Sequence, residues 1–123
     1  MPWSVKFIKH QMSNILKFRL VNRDIFEAIR VGKKKVETRA ATAKYRQIKK
    51  EDKVILVCGK SKFEKEVKKV KIFKTISALL KVYKPQQINP RIKTEKETRE
   101  MYCNFPGYKV KIKKYGLIAF ELK

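Results

Sequence analysis

The sequence predicts a single α+β domain: a small curled β-barrel of five or six strands, with helices packed around its openings. Three observations carry that expectation. Segments that alternate with a period of two, 15 to 21 and 62 to 74, are interleaved with helical spacings such as Ile25, Phe26 and Ile29. The unbroken apolar runs 54 to 58 and 117 to 122 suit strands buried on both faces, the second of them central. In the lysine-rich segment 62 to 74 the apolar phase slips between Val67 and Val70. That slip marks a β-bulge near Lys68 and Lys69, and bulges help a sheet to curl.

Residues 1 to 14 read as an extension, with the domain spanning 15 to 123. Trp3, Val5 and Phe7 alternate with polar residues, so the extension is either a short added strand or a basic arm. His10 reads as an incidental polar residue, and Met12 as an alternative start. In 15 to 21, Leu16, Phe18 and Leu20 share one side. Asn22 is placed to cap the following helix, and Asp24 suits its positive N-terminal end. Gly32, just past the last periodic residue, fits the left-handed conformation that closes many helices. The period then becomes two, so Val36 and Thr38 point one way and Glu37 and Arg39 the other. Lys34, on the turn, can reach the same carboxylate.

Residues 40 to 53 show no clear period and read as a loop ending at a Glu51-Asp52 turn. Tyr45 and Arg46 stand there among lysines. Tyr45 either offers a stacking platform for a base or packs against the barrel rim. Cys58 reads as a small core residue. The bulge lysines Lys68 and Lys69 either guard a sheet edge or contact RNA. Ser77 is expected to cap a short helix through Tyr83, stopped by Pro85, and 84 to 93 is a proline-bearing connection. Thr94-x-x-Glu97 forms a capping box for a helix to about Cys103, docked through Met101 and Tyr102. Phe105-Pro106-Gly107-Tyr108 turns the chain into a basic segment, 109 to 114.

Composition narrows the function. The chain has 123 residues, of which 43% are hydrophobic, enough for one domain with a real core. Its 33 basic and 11 acidic side chains leave a net charge of +22, with 26 lysines against 7 arginines. Such asymmetry calls for a polyanionic partner, with RNA or another nucleic acid first. A ribonucleoprotein bound through the basic surface is a further possibility, and a monomer is expected. Cys58 and Cys103 form neither a disulfide framework nor a zinc spacing. No secretory signal or membrane-length apolar run is present, so a cytoplasmic protein without metal or cofactor is expected. The lone histidine argues against a conventional Ser-His-Asp or Cys-His centre.

The stretch Gly32-x-Lys34-x-x-Glu37-x-Arg39 resembles the G-x-K-x-x-E-x-R signature of ASCH domains, in the PUA-like superfamily. The Ile48-x-x-x-Asp52 turn into an apolar strand, the lysine-rich strand, the Ser77-Ala78-Leu79-Leu80 helix and the strand from Tyr115 to Leu122 fit the same order. The resemblance spans roughly residues 15 to 123. It implies a PUA-like barrel and RNA binding in a basic cleft that recognises single-stranded or modified RNA. It also places Arg23, at a strand-to-helix junction, near that cleft. Together with the readings of Tyr45, Arg46 and the bulge lysines above, the expected binding set is Arg23, Lys34, Glu37, Arg39, Tyr45, Arg46, Lys68 and Lys69. Arg39 and Lys34 would hold phosphate, and Glu37 would accept from an amine or ribose hydroxyl. The alternative is a nucleoside or nucleotide hydrolase, amidohydrolase or ribonuclease-like, using Lys34 and Glu37. Some ASCH-like proteins are amidohydrolases in which a lysine at the Lys34 position activates a threonine three residues later. Here Glu37 stands in the threonine's place, and Thr38 turns to the other face.

Overall fold

The computed structural model describes residues 14–123. The extension through Trp3, Val5 and Phe7, read as either a short strand or a basic arm, lies with His10 and Met12 outside the described residues. In chain order the elements are β1 (Ile15–Phe18), a 3-10 turn (Leu20–Asn22), α1 (Arg23–Arg30), β2 (Val36–Ala40), α2 (Ala43–Arg46), β3 (Lys53–Cys58) and β4 (Ser61–Phe73). There follow α3 (Ile76–Leu80), α4 (Pro85–Ile88), α5 (Glu95–Asn104), α6 (Tyr108–Tyr115) and β5 (Leu117–Leu122). The five strands form one mixed sheet in the order β1-β3-β4-β5-β2. β1 runs parallel to β3, and the other pairings are antiparallel. Among the described residues, the sheet curls into a half-barrel whose free edges are β1 and β2.

The curl has a visible origin in β4. Its register shifts between Val67 and Lys69, so Lys68 is the extra residue of a bulge. Through Glu66 β4 pairs with β3, and from Val67 onward with β5, the bulge following directly on the change of partner. One thirteen-residue strand thus serves both halves of the sheet.

Two apolar clusters divide the core. Leu16, Phe26, Val54, Leu56, Ile118 and Phe120 fill the inside of the curl. Val36, Leu79, Tyr102, Leu117 and Ala119 form a second cluster beneath the helices. β5 feeds both by alternation and is buried on both faces, as its apolar run predicts. α1 seals the inner cluster with Phe26 and Ile29, and Ile25 is buried on the same apolar face.

Several local expectations are corrected. β1 ends at Phe18, because the chain turns at Arg19 into the 3-10 turn, where Asn22 N–H bonds the Arg19 carbonyl. Leu20 is therefore 67% exposed and does not join Leu16 and Phe18. Asn22 precedes α1 without a side-chain cap bond, because its Oδ1 accepts from Arg91. β3 buries Val54, Leu56 and Cys58, whereas Ile55 and Val57 are half-buried. Segment 40 to 53 contains the single helical turn α2. Thr75, not Ser77, caps α3: its extended backbone aims Oγ1 at Ala78 N–H, while the Ser77 hydroxyl accepts from Arg99. The basic segment after Tyr108 is helical, and the connection after Lys84 holds α4 with Pro85 in its first turn. The Thr94–Glu97 capping box is present, with Glu97 N–H 3.1 Å from Thr94 Oγ1.

Candidate functional site at the seam of the half-barrel

Gly32 closes α1 at φ +82°, and the chain enters β2 four residues later. Val36 faces the helical cluster, and Thr38 Oγ1 shares a hydrogen bond with the buried Tyr102 hydroxyl. Glu37 and Arg39 turn to the opposite face, as the alternation predicts. That face is the inner wall of the half-barrel, so the charges are largely buried.

The three residues of the motif form one linked group. Lys34, only 3% exposed, donates to the Val36 carbonyl and to Glu37 Oε1 at 3.0 Å. Arg39 donates through Nε and Nη2 to Glu37 Oε2 at 3.2 and 2.9 Å. Both carboxylate oxygens are therefore committed. The guanidinium also lies 4.9 Å from the Phe18 ring centre and 5.8 Å from that of Tyr45. Its Nη1 crosses the open seam to the Lys17 carbonyl of β1 at 3.1 Å. Arg39 thus links the two free edges of the sheet.

Burial pushes the Glu37 carboxyl up, but the adjacent Lys34 ammonium and Arg39 guanidinium outweigh it and hold the group below its ordinary value. For Arg39, burial works against the charge, while Glu37 holds it on and raises its pKa. A depressed carboxylate pKa has a definite consequence for stability. The unfolded chain binds a proton first, so stabilisation by Glu37 is complete above about pH 4.5 and is lost as pH falls through the lower folded value. Thermal unfolding followed from pH 6 down to roughly 3 should show this loss, and Glu37→Gln should flatten its slope. An identical slope in the variant would mean that Glu37 is solvated.

The seam opens into a cleft of about 250 Å³. β1 contributes Lys17 and Phe18, β2 contributes Glu37, Thr38 and Arg39, and the α5–α6 turn contributes Phe105, Pro106 and Tyr108. Ile88 and Asn89 close another side. That wall is anchored by Arg91, which bonds the Asp24 carboxylate, Asn22 Oδ1 and the Val21 carbonyl. Lys17 and Arg19 stand exposed at the rim. Burial raises the Tyr108 hydroxyl's pKa, so that group stays protonated.

Of the expected binding residues, Glu37 and Arg39 line this cleft, and Lys34 lies behind Glu37 without lining it. Tyr45 is half-buried, packed against the inner core beside Arg39. Arg23 lies outside the cleft, its Nη2 bonding Ser61 Oγ at 3.0 Å. Arg46, Lys68 and Lys69 line a second, more open concavity with Lys49 and Lys50. Arg46 is held there by the Ala41 and Tyr115 carbonyls. Sequence reasoning missed Lys17, Arg19, Asn89 and Tyr108. Lys17 and Arg19 were readable as cations on a strand end, but nothing in the sequence placed that end beside β2.

Among the described residues, no group of His, Cys, Asp and Glu side chains could hold a metal ion, and no helix is long and apolar enough to cross a membrane. No family model matches the chain. No curated protein matches it either. Among solved structures, the chain is similar to the crystal structure of hypothetical protein PH0355, at 28% identity and a TM-score of 0.73, over 89% of this chain and 97% of that one. It is also similar to the solution structure of protein PF0455 from Pyrococcus furiosus, at 28% identity and a TM-score of 0.68, over 89% of this chain and 96% of that one. The curled half-barrel is common to all three chains.

Proposed function

We propose that this chain is an RNA-binding domain of ASCH type, which holds single-stranded or locally opened RNA, or a modified nucleotide, at the β1–β2 seam. The observation that carries this reading is the cleft itself. It combines aromatic walls, a buried Lys34–Glu37–Arg39 group and exposed rim cations, in a chain of net charge +22. The G-x-K-x-x-E-x-R run supports the ASCH assignment. In this reading Arg39 and Glu37 fix the pocket, while Lys17 and Arg19 reach phosphates at its mouth. Lys49, Lys50, Lys68 and Lys69 offer a second phosphate-tracking surface.

Binding of short single-stranded RNAs across a salt series tests this. Log affinity should fall linearly with log salt, with a slope of about 0.7 per phosphate contacted. Lys68→Ala with Lys69→Ala should weaken all sequences alike and flatten the slope. Lys17→Ala with Arg19→Ala should weaken binding at the cleft. Absent or salt-independent binding overturns the proposal.

A further inference from the structure

The seam exposes backbone as well as side chains, and the strand register says which groups. Lys35 accepts from Leu122 N–H, and Ala41 N–H donates to Gly116, so odd-numbered residues of β2 face β5. In an antiparallel ladder the even-numbered residues then direct N–H and C=O away from the sheet, into the seam. The Val36 carbonyl is taken by Lys34 Nζ and the Ala40 carbonyl by Thr42 N–H, and neither residue lines the cleft. Thr38 remains. It lines the cleft, and no group among the described residues pairs with its backbone N–H or C=O. Across the seam, Lys17 also faces inward, its carbonyl partly used by Arg39.

Resting on the RNA-binding reading above, we propose that the Thr38 backbone reads one unpaired nucleobase. Its N–H and C=O form an adjacent donor and acceptor, complementary to the acceptor–donor pair on a base's Watson–Crick edge. Phe18, Phe105 and Tyr108 supply apolar and aromatic surface for the ring. In this half-open cleft a base that pairs with both backbone groups replaces their water and is favoured over a ligand that leaves them unpaired. The size fits: about 250 Å³ lies below the roughly 300–1,000 Å³ of pockets for drug-sized ligands, which suits one nucleoside. A peptide strand added to this edge would need about 4.8 Å of clear spacing beside β2. Arg39 already crosses that gap to Lys17.

The test uses the full chain with the residue-38 amide replaced by an ester, which removes the N–H and keeps the side chain. That N–H takes no part in the β2–β5 ladder, and the Glu37 carbonyl of the same linkage stays in it as a weaker ester acceptor, so the fold should survive with a small loss of stability. Three otherwise identical short RNAs serve as probes: one with an unpaired base, one abasic at that position, and one with the base methylated on its Watson–Crick edge. The ester should weaken the base-bearing RNA about five- to tenfold, leaving the abasic RNA unchanged. The methylated base should bind the unaltered chain about as weakly as the abasic RNA does. If all three RNAs bind equally and the ester changes nothing, this inference fails while RNA binding stands. If no RNA binds, both fail. Should the ester chain melt early, the base, abasic and methylated comparison on the unaltered chain still decides the question.

Discussion

Gly116→Ala is expected to destabilise the protein by about 3 kcal/mol or more, a fall in melting temperature of roughly 10 °C. Gly116 sits at φ +82° and ψ −164°, a region open essentially only to glycine. A Cβ there would lie 2.3 Å from the Phe73 carbonyl oxygen, a backbone atom that no rotamer change can move. Its own groups are committed as well. The Gly116 N–H bonds Ile112, and its carbonyl accepts from Ala41 beyond the end of β2. Moving it would disturb α6, β5 and β2 together. Gly32 supplies the comparison. It has the same φ of +82°, but a Cβ there meets nothing within 4 Å. Gly32→Ala should therefore cost only the conformational term, about 1 kcal/mol. Paired thermal melts would separate the two causes, and equal shifts would show that the approach of Gly116 to β4 is not tight.

That contrast bears on what the sequence reveals. Both glycines fall where a helical run meets a strand, but only packing separates a free turn from a backbone contact. The motif strand was legible because period-two alternation assigns Glu37 and Arg39 to one face whatever lies around them. The bulge at Lys68 was legible because a phase slip between Val67 and Val70 allows little else. Burial of Lys34 was not legible: lysine is rarely buried, and 26 of them offer no contrast. Residues 109 to 114 alternate Lys109, Val110, Lys111 and Ile112, which mimics a strand. Only Ile112 is buried, under the helical cluster, and Val110 is 72% exposed. The cleft's far wall was illegible for a different reason. Asn89, Phe105 and Tyr108 come from connections without a period, brought to the seam by the α5–α6 turn and by Arg91's hold on Asp24.

The largest effect is expected from removing the central carboxylate. Glu37→Leu leaves the Lys34 ammonium and the Arg39 guanidinium buried without their shared counter-charge. Breaking a buried ion pair by deleting one partner costs about 3–5 kcal/mol, because the remaining charge is left uncompensated. Lys34 has the worse outcome, since its side chain is only 1% exposed. Arg39 keeps the Lys17 carbonyl and two aromatic rings. The deficit should therefore be concentrated on Lys34. Adding Lys34→Met to Glu37→Leu should recover a large part of the loss, because a fully apolar replacement has no orphaned charge. Urea denaturation of the single and double variants would measure this, with m-values checked to confirm that the unfolded reference is unchanged. A loss below about 1 kcal/mol for Glu37→Leu is the size of a solvated surface bridge and would contradict the buried arrangement. The same variants separate architecture from recognition. If the double variant regains stability but still binds base-bearing RNA no better than abasic RNA, Glu37 orients Arg39 and the Thr38 edge for the ligand. If it regains both, the carboxylate holds the seam together and the reading of the base belongs to the backbone alone.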